Sequence, residues 1–510
     1  MIKISISQIN PTAGDLVKNS QIILKNIEKA AFEKSTLLIT PELSLTGYPP
    51  EDLLLNKDFL QNVENELENL VIKSNMISTE IYVIVGHPYF DKTLNSLTNA
   101  ATVFSGGKII SRYSKYALPN YEVFDEKRYF KSVSKPCVFK IRGIRCGINI
   151  CEDIWSPHAP KNAKKAGADI LLVLNASPFN TGKIEERLNV VKKNVSAIGL
   201  AVVFCNLIGG QDELIFDGNS FFINENGELL KKAKEFEVDF ISLCFEKKFD
   251  NSLAKVETVG SKLSQMYKAL VLGTHDFTHK NGFTSAIVGL SGGIDSALTL
   301  AIAADALGNK NVEAVMMPSI YTSKESLSDA KKCALNLGIK LQILPIKSLV
   351  DEFGKSLDEI FKGYPLDITE ENLQSRIRGV LLMAISNKKG SMLLTTGNKS
   401  EIAMGYCTLY GDMCGGYSVL KDVLKTQVYD LSRYVNKLAS ERGMSFPIPQ
   451  SIIDKSPSAE LKFNQFDHDS LPPYEILDKV LVGYLEKKLS FHEILRLGYA
   501  EYTVKKILKL

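Results

Sequence analysis

The 510 residues carry a formal charge of +3, with 45% apolar and 23% charged residues. So neutral a balance gives no electrostatic footprint for nucleic acid or an acidic membrane surface, and no apolar run approaches the roughly 18 residues of a membrane span. A chain of this length predicts two or three folded domains.

The opening "MIKISISQINPTAGD" alternates like a strand and lacks the apolar core of a signal peptide. Strand-like runs follow between turn signals: "STLLITPE", "IYVIVGH", "CVFKIRGIRCGINICED", "ADILLVLNAS" and "AVVFCNLIG". Helical stretches are expected over 17–34, 58–75 and 183–198. Glu42, Cys151, Glu152 and Ser177 fall where strands end, which is where chemistry gathers in layered α/β folds. A charged stretch short of bulky apolar residues predicts a linker over 246–264, separating domains at 1–245 and 265–510. Beyond it, strand–turn–helix units recur ("TSAIVGLSGG", "NVEAVMMPS", "KLQILPIK", "SMLLTTGNKSEIAMGY"), the pattern of a doubly wound parallel sheet. The eight cysteines form no CxxC and none neighbours a histidine at zinc spacing, so a reducing cytoplasm and no transition-metal site are expected.

Two places carry chemistry. In "IVGLSGGIDSALTLAIAADAL" (287–307), Gly289, Ser291, Gly292 and Gly293 sit between a strand and a helix. Small residues let the backbone approach a ligand, and the helix start offers free N–H groups to phosphate. The lysine of a Walker A loop is missing; Asp295 stands beside the loop instead and suits Mg²⁺ on phosphate oxygens, with Glu401 as a second carboxylate. In the first half, "TPELSLTGY" places Glu42, "YSKYALPNYEVFDE" Lys115 and "GINICEDIW" Cys151. A nucleophilic thiol needs a base, and a nearby cation stabilises an oxyanion. Cys205 in "VVFCNL" reads as buried and inert.

These first-half stretches resemble the nitrilase-like carbon–nitrogen hydrolases over about 1–245. The resemblance implies an α-β-β-α sandwich with Glu42 as general base, Lys115 as oxyanion stabiliser and Cys151 as nucleophile. It implies a second glutamate after the lysine, Glu126 or its competitor Glu122, and Tyr121, Glu152, Ser177 and Arg187 around glutamine, with Tyr48 packing at the edge.

"SGGIDS" resembles the loop of ATP pyrophosphatases, which implies ATP on Gly289, Leu290, Ser291, Gly292, Gly293, Ile294, Asp295, Ser296 and Thr396. With "ENLQSRIRG" (371–379), "YGDM" (410–413) and "KSPSAEL" (455–461), most of 265–480 resembles the NAD⁺ synthetase family. That implies deamido-NAD⁺ on Asn372, Arg376, Glu401, Asp412, Lys425, Lys455 and Ser458, and Mg²⁺ on Asp295 and Glu401.

The pair of resemblances is that of glutamine-dependent synthetases. It implies ammonia release from glutamine, adenylation of deamido-NAD⁺ by ATP, amidation to NAD⁺, an internal ammonia tunnel and a homo-oligomer. No nucleic-acid or membrane partner is expected. Leu424 stands where proline is common, and Met404 and Cys407 replace smaller or hydroxyl residues. Two other readings stay open from the residues: amidation of a different carboxylate, and a nucleotide sensor with a dead amidase domain.

Overall fold

A computed structural model of the chain describes residues 1–249 and 259–509. The middle of the expected linker, 250–258, lies outside the described residues. The chain divides into two compact units, Met1–Gln265 and Met266–Leu510.

The first unit holds two six-stranded sheets. One runs Asp239–Phe245, Ile2–Gln8, Leu37–Ile39, Tyr82–Asp91, Ser96–Ser105, Lys108–Ser114. The other runs Leu229–Lys232, Phe221–Ile223, Ala201–Asn206, Ile170–Asn175, Ile144–Ile150, Val138–Ile141. Side chains alternate across each strand, so Ile2, Ile4, Ile6 and Ile39 meet Ile148, Ile150, Leu172 and Val203 in one buried layer between the sheets. The opposite face of the first sheet sends Leu38, Val83 and Val85 against Ile23, Ile27, Leu67 and Leu70 of helices Leu16–Phe32 and Lys57–Ile77. The second sheet sends Leu171, Val173 and Val202 against Ile184, Val191 and Val195 of helix Lys183–Ile198. Strands covered on both faces read as continuous apolar runs, as "ILLVLN" does. The result is the helix–sheet–sheet–helix sandwich expected from the sequence.

The second unit is built on a five-stranded parallel sheet ordered Lys340–Ile343, Val312–Met316, Ala286–Gly289, Met392–Thr395, Tyr417–Ser418. Numbered along the chain, these strands lie 3-2-1-4-5. The order reverses between Ala286–Gly289 and Met392–Thr395, and a crevice at the carboxyl ends of such a pair is the binding place of doubly wound folds. Met404 and Leu424 pack among Leu471, Leu477, Leu481, Ile494 and Val504, so two of the three departures noted in the sequence serve a helical cluster. Leu424 adopts φ −68°, the value proline would impose. Its N–H donates to Gln427 Oε1 at 3.0 Å, a bond that proline lacks. No helix among the described residues is long and apolar enough to cross a membrane.

Candidate active sites

In the first unit three strand ends bring Glu42, Lys115 and Cys151 together with Glu126, the first residue of the short helix Glu126–Tyr129, in one buried cluster. Lys115 Nζ donates to Glu42 Oε1 at 2.7 Å and to both oxygens of Glu126 at 2.8 Å. Glu42 is held by two further donors: Asn99 Nδ2 reaches Oε1 at 2.8 Å, and the Ala176 N–H reaches Oε2 at 3.1 Å. Its turn is reachable because residue 86 is glycine; a Cβ there would lie 2.5 Å from the Leu43 nitrogen. Of the two candidate second glutamates, Glu126 is the one on the lysine, while Glu122 is exposed on the surface.

Cys151 ends the strand Ile144–Ile150 and starts a short 3₁₀ turn at φ +41°, a conformation unusual for a residue with a side chain. Asp153 fixes that turn, accepting from the N–H groups of Ile150 and Ala117 and from the Tyr113 hydroxyl at 2.8–2.9 Å. Burial pushes the Cys151 thiol pKa well up, Glu42 adds to the rise and Lys115 opposes it. One ammonium shared by two carboxylates does not outweigh desolvation, so the resting thiol is protonated and depends on a base. Burial and the like charge of Glu42 also lift Glu126 to about 7 against the pull of Lys115. Cys205 is buried and its thiol pKa is raised by burial, with its Sγ directed to backbone oxygens of Ser7 and Ile39.

The Tyr121 hydroxyl donates to Glu152 Oε2 at 3.0 Å, and Tyr121 is half exposed. Ser177 is buried, its N–H bonded to Asn206 Oδ1. Arg187, expected around glutamine, is tied to Asp217 and to the Ser177 turn. Its Nη1 donates to both oxygens of Asp217, Nη2 to the carbonyls of Ser177 and Pro178, and Nε to Ser177 Oγ. Each of the three guanidinium nitrogens is thereby engaged, and the side chain is 1% exposed. So placed, Arg187 braces the Ser177 turn. Tyr48, read as edge packing, donates to Glu126 Oε1 at 3.2 Å while packing edge-on against Phe216.

In the second unit the strand Ala286–Gly289 enters the loop and then helix Ile294–Leu307, whose first turn has no side-chain cap. Gly292 has φ +86°, and a Cβ there would collide with the backbone oxygen of Ser326. Ser291 Oγ accepts from the Gly293 N–H and lies 3.0 Å from Ser296 Oγ, while Leu290 and Ile294 are buried anchors. Thr396 follows the neighbouring strand and is partly exposed. Lys425 Nζ lies 2.6 Å from Asp295 Oδ2 and 2.9 Å from Glu401 Oε1. Asn398 ties the same pair together, donating to Asp295 Oδ1 at 2.9 Å and capping the Glu401 N–H at 3.0 Å. The two hard oxygen donors thus already converge on a cation, the ammonium, and their chemistry fits a divalent ion beside phosphates.

On helix Ile368–Lys389, Asn372 Oδ1 accepts from Thr408 Oγ1 at 2.9 Å, and exposed Arg376 donates from Nε to the Leu409 carbonyl at 3.3 Å. The Thr408 N–H donates to Asp412 Oδ1 at 2.9 Å, so Asn372, Arg376 and Asp412 meet on one loop. Cys407 precedes it, partly exposed. Lys455 pairs with Glu460 at 3.0 Å, and Ser458 Oγ bonds to the Gln465 carbonyl at 2.6 Å. Glu460 accepts from Ser323 and Ser326 at the start of helix Lys324–Asn336.

The carbon–nitrogen hydrolase family model matches residues 3–243, and the NAD synthase family model matches 266–510. The glutamine-dependent NAD(+) synthetase of Acinetobacter baylyi is 42% identical over 100% of this chain and 92% of its own. The chain belongs to the glutamine-dependent NAD⁺ synthetase family. The family's member from Thermotoga maritima is 40% identical over 99% of this chain and 92% of its own. A solved synthetase from Acinetobacter baumannii, in complex with ADP, superposes with a TM-score of 0.84 at 39% identity, covering 100% of this chain and 92% of that one. A synthetase structure from Cytophaga hutchinsonii shares the fold, with a TM-score of 0.84 at 22% identity, 99% of this chain and 91% of that chain.

Proposed function

We propose that this chain makes NAD⁺ by amidating deamido-NAD⁺ with ATP, drawing ammonia from glutamine, with the glutaminase chemistry in 1–245 and the synthetase chemistry in 265–510. The observation that carries it is the co-occurrence of a Glu42–Lys115–Cys151 cluster and a glycine loop at a topological switch point in a chain about 40% identical to glutamine-dependent synthetases throughout.

At the first site Glu42 takes the thiol proton as Cys151 Sγ attacks the glutamine carboxamide carbon. Lys115 faces the developing oxyanion. The C–N bond breaks, Glu42 returns the proton to the departing nitrogen, and ammonia leaves a thioester. Glu42 then deprotonates water, which releases glutamate and the thiol. Glu126 and Tyr48 fix Lys115, and Arg187 fixes the Ser177 turn. Tyr121, Glu152 and Ser177 are the groups left to hold glutamine.

At the second site the glycine loop 291–293 lets the ATP phosphates approach the backbone, and the N–H groups of the first turn of the following helix receive them, with Ser296 and Thr396 beside them. Asp295 and Glu401 would hold Mg²⁺, which would supply neutralisation of phosphate charge. Asn372, Arg376 and Asp412 hold the deamido-NAD⁺ acceptor, with Lys425, Lys455 and Ser458 lining the same region. Its nicotinate carboxylate attacks the α-phosphate of ATP, pyrophosphate departs, and ammonia displaces AMP to form the amide. The protein acts as a cytoplasmic homo-oligomer.

Cys151→Ala tests the two-site reading. Glutamine-supported NAD⁺ formation falls to background, and formation from high ammonium is retained. Equal loss with both nitrogen donors would overturn it.

A further inference from the structure

The carboxylates of Asp295 and Glu401 come from opposite sides of the switch point, one after the strand Ala286–Gly289 and the other after Met392–Thr395. The cation between them is Lys425, the first residue of helix Lys425–Glu441 and 3% exposed. Its place is built. The Lys425 N–H donates to Ser400 Oγ at 2.9 Å, Ser400 Oγ donates to Asp478 Oδ1 at 2.5 Å, and the Thr426 N–H donates to Asp478 Oδ2 at 2.8 Å. The helix start is therefore clamped to the short helix Lys399–Ala403 that carries Glu401. The Tyr474 ring lies 5.4 Å from Nζ and gives the ammonium a second attractive surface.

Two carboxylates this close in a shielded crevice are costly without a cation. The ammonium supplies it when no nucleotide is present. A free divalent ion that enters the pair must displace the Lys425 ammonium from both its carboxylate contacts, leaving as its nearby acid Asp467, whose Oδ2 already accepts from the Tyr474 hydroxyl. A nucleotide changes that balance, because its phosphates give the displaced ammonium a new partner. We propose that Lys425 is a displaceable counter-cation, so that the nucleotide-free site resists free divalent metal and accepts it together with nucleotide. This rests on the reading of Asp295 and Glu401 as the metal-holding pair. It adds a positive coupling between metal and nucleotide that Lys425 itself sets.

The test uses the full-length chain and Mn²⁺ alone, with free Mn²⁺ followed by electron paramagnetic resonance. Wild type binds Mn²⁺ weakly without nucleotide. Lys425→Met binds it at least tenfold more tightly, and Lys425→Arg, which keeps the cation, stays near wild type. Adding Glu401→Gln to Lys425→Met removes the gain. A Lys425→Met variant that binds Mn²⁺ no more tightly than wild type overturns the proposal. Should that variant not fold, wild type still decides. MgCl₂ alone, against KCl of equal ionic strength, leaves the melting temperature unchanged, whereas MgCl₂ with a non-hydrolysable ATP analogue raises it. An equal rise with MgCl₂ alone refutes the exchange. Failure of the underlying reading looks different: Asp295→Asn and Glu401→Gln in the otherwise native chain would then leave metal–nucleotide binding unaltered.

Discussion

Arg187 distinguishes a ligand-binding role from a positioning one. Arg187→Met keeps much of the side-chain volume and removes the guanidinium. Asp217 then stays buried, at 2% exposure, with only Asn219 Nδ2 of its former side-chain partners, and the carbonyls of Ser177 and Pro178 lose their donors. Removing one member of a buried ion pair costs about 3–5 kcal/mol, because the other charge is left uncompensated. For a folding unit of this size each kcal/mol moves the melting temperature by roughly 2–4 °C, so the expected fall is on the order of 6–20 °C. Calorimetry of the full chain reads it in the transition of the first unit. Asp217→Asn added to Arg187→Met recovers a substantial part of the loss, because the buried charge is gone. Kinetics give the second readout: at a temperature where the variant is folded, kcat with glutamine falls and the ammonium-supported rate does not. An unchanged melting temperature together with a raised KM for glutamine would refute the positioning role and return Arg187 to the ligand.

Tyr48→Phe removes the hydroxyl donor to Glu126 and is expected to cost about 1 kcal/mol, or roughly fivefold in glutamine-supported rate, with ammonium-supported synthesis unaltered. Glu126 holds its proton more tightly when folded, at about 7 against 4.5 for a free glutamate, so its contribution to stability is full below 4.5 and is lost as pH rises through 7. Glu126→Gln should therefore lose less stability than wild type between pH 5 and 8 in urea titrations; identical slopes would refute the shift. Arg376→Ala should raise KM for deamido-NAD⁺ by the equivalent of about 1.5–3 kcal/mol and leave KM for glutamine near its original value, and an unchanged deamido-NAD⁺ KM would remove Arg376 from that site.

What was legible in the sequence divides along a physical line. Strands buried on both faces announce themselves as apolar runs, and the loop at 289–296 announces itself because only small residues fit its backbone, as Gly292 against Ser326 shows. That Glu42, Lys115 and Cys151 lie together was legible because strand ends collect chemistry and their order resembled a family. The supporting groups were not. Asn99 and Asp217 lie on or beside strands, far along the chain from the residues they hold, and nothing in their local pattern separates them from ordinary strand polar residues. Arg187 shows the same limit from the other side. The resemblance placed it around glutamine, and its partners Asp217 and the Ser177 carbonyl are not visible in the local sequence. Asn398 is the exception, since asparagine three residues before Glu401 is a helix-capping signature readable without a structure. That cap does two things at once, fixing the Glu401 helix and donating to Asp295, so the local rule that starts the helix also brings together two carboxylates more than 100 residues apart in sequence.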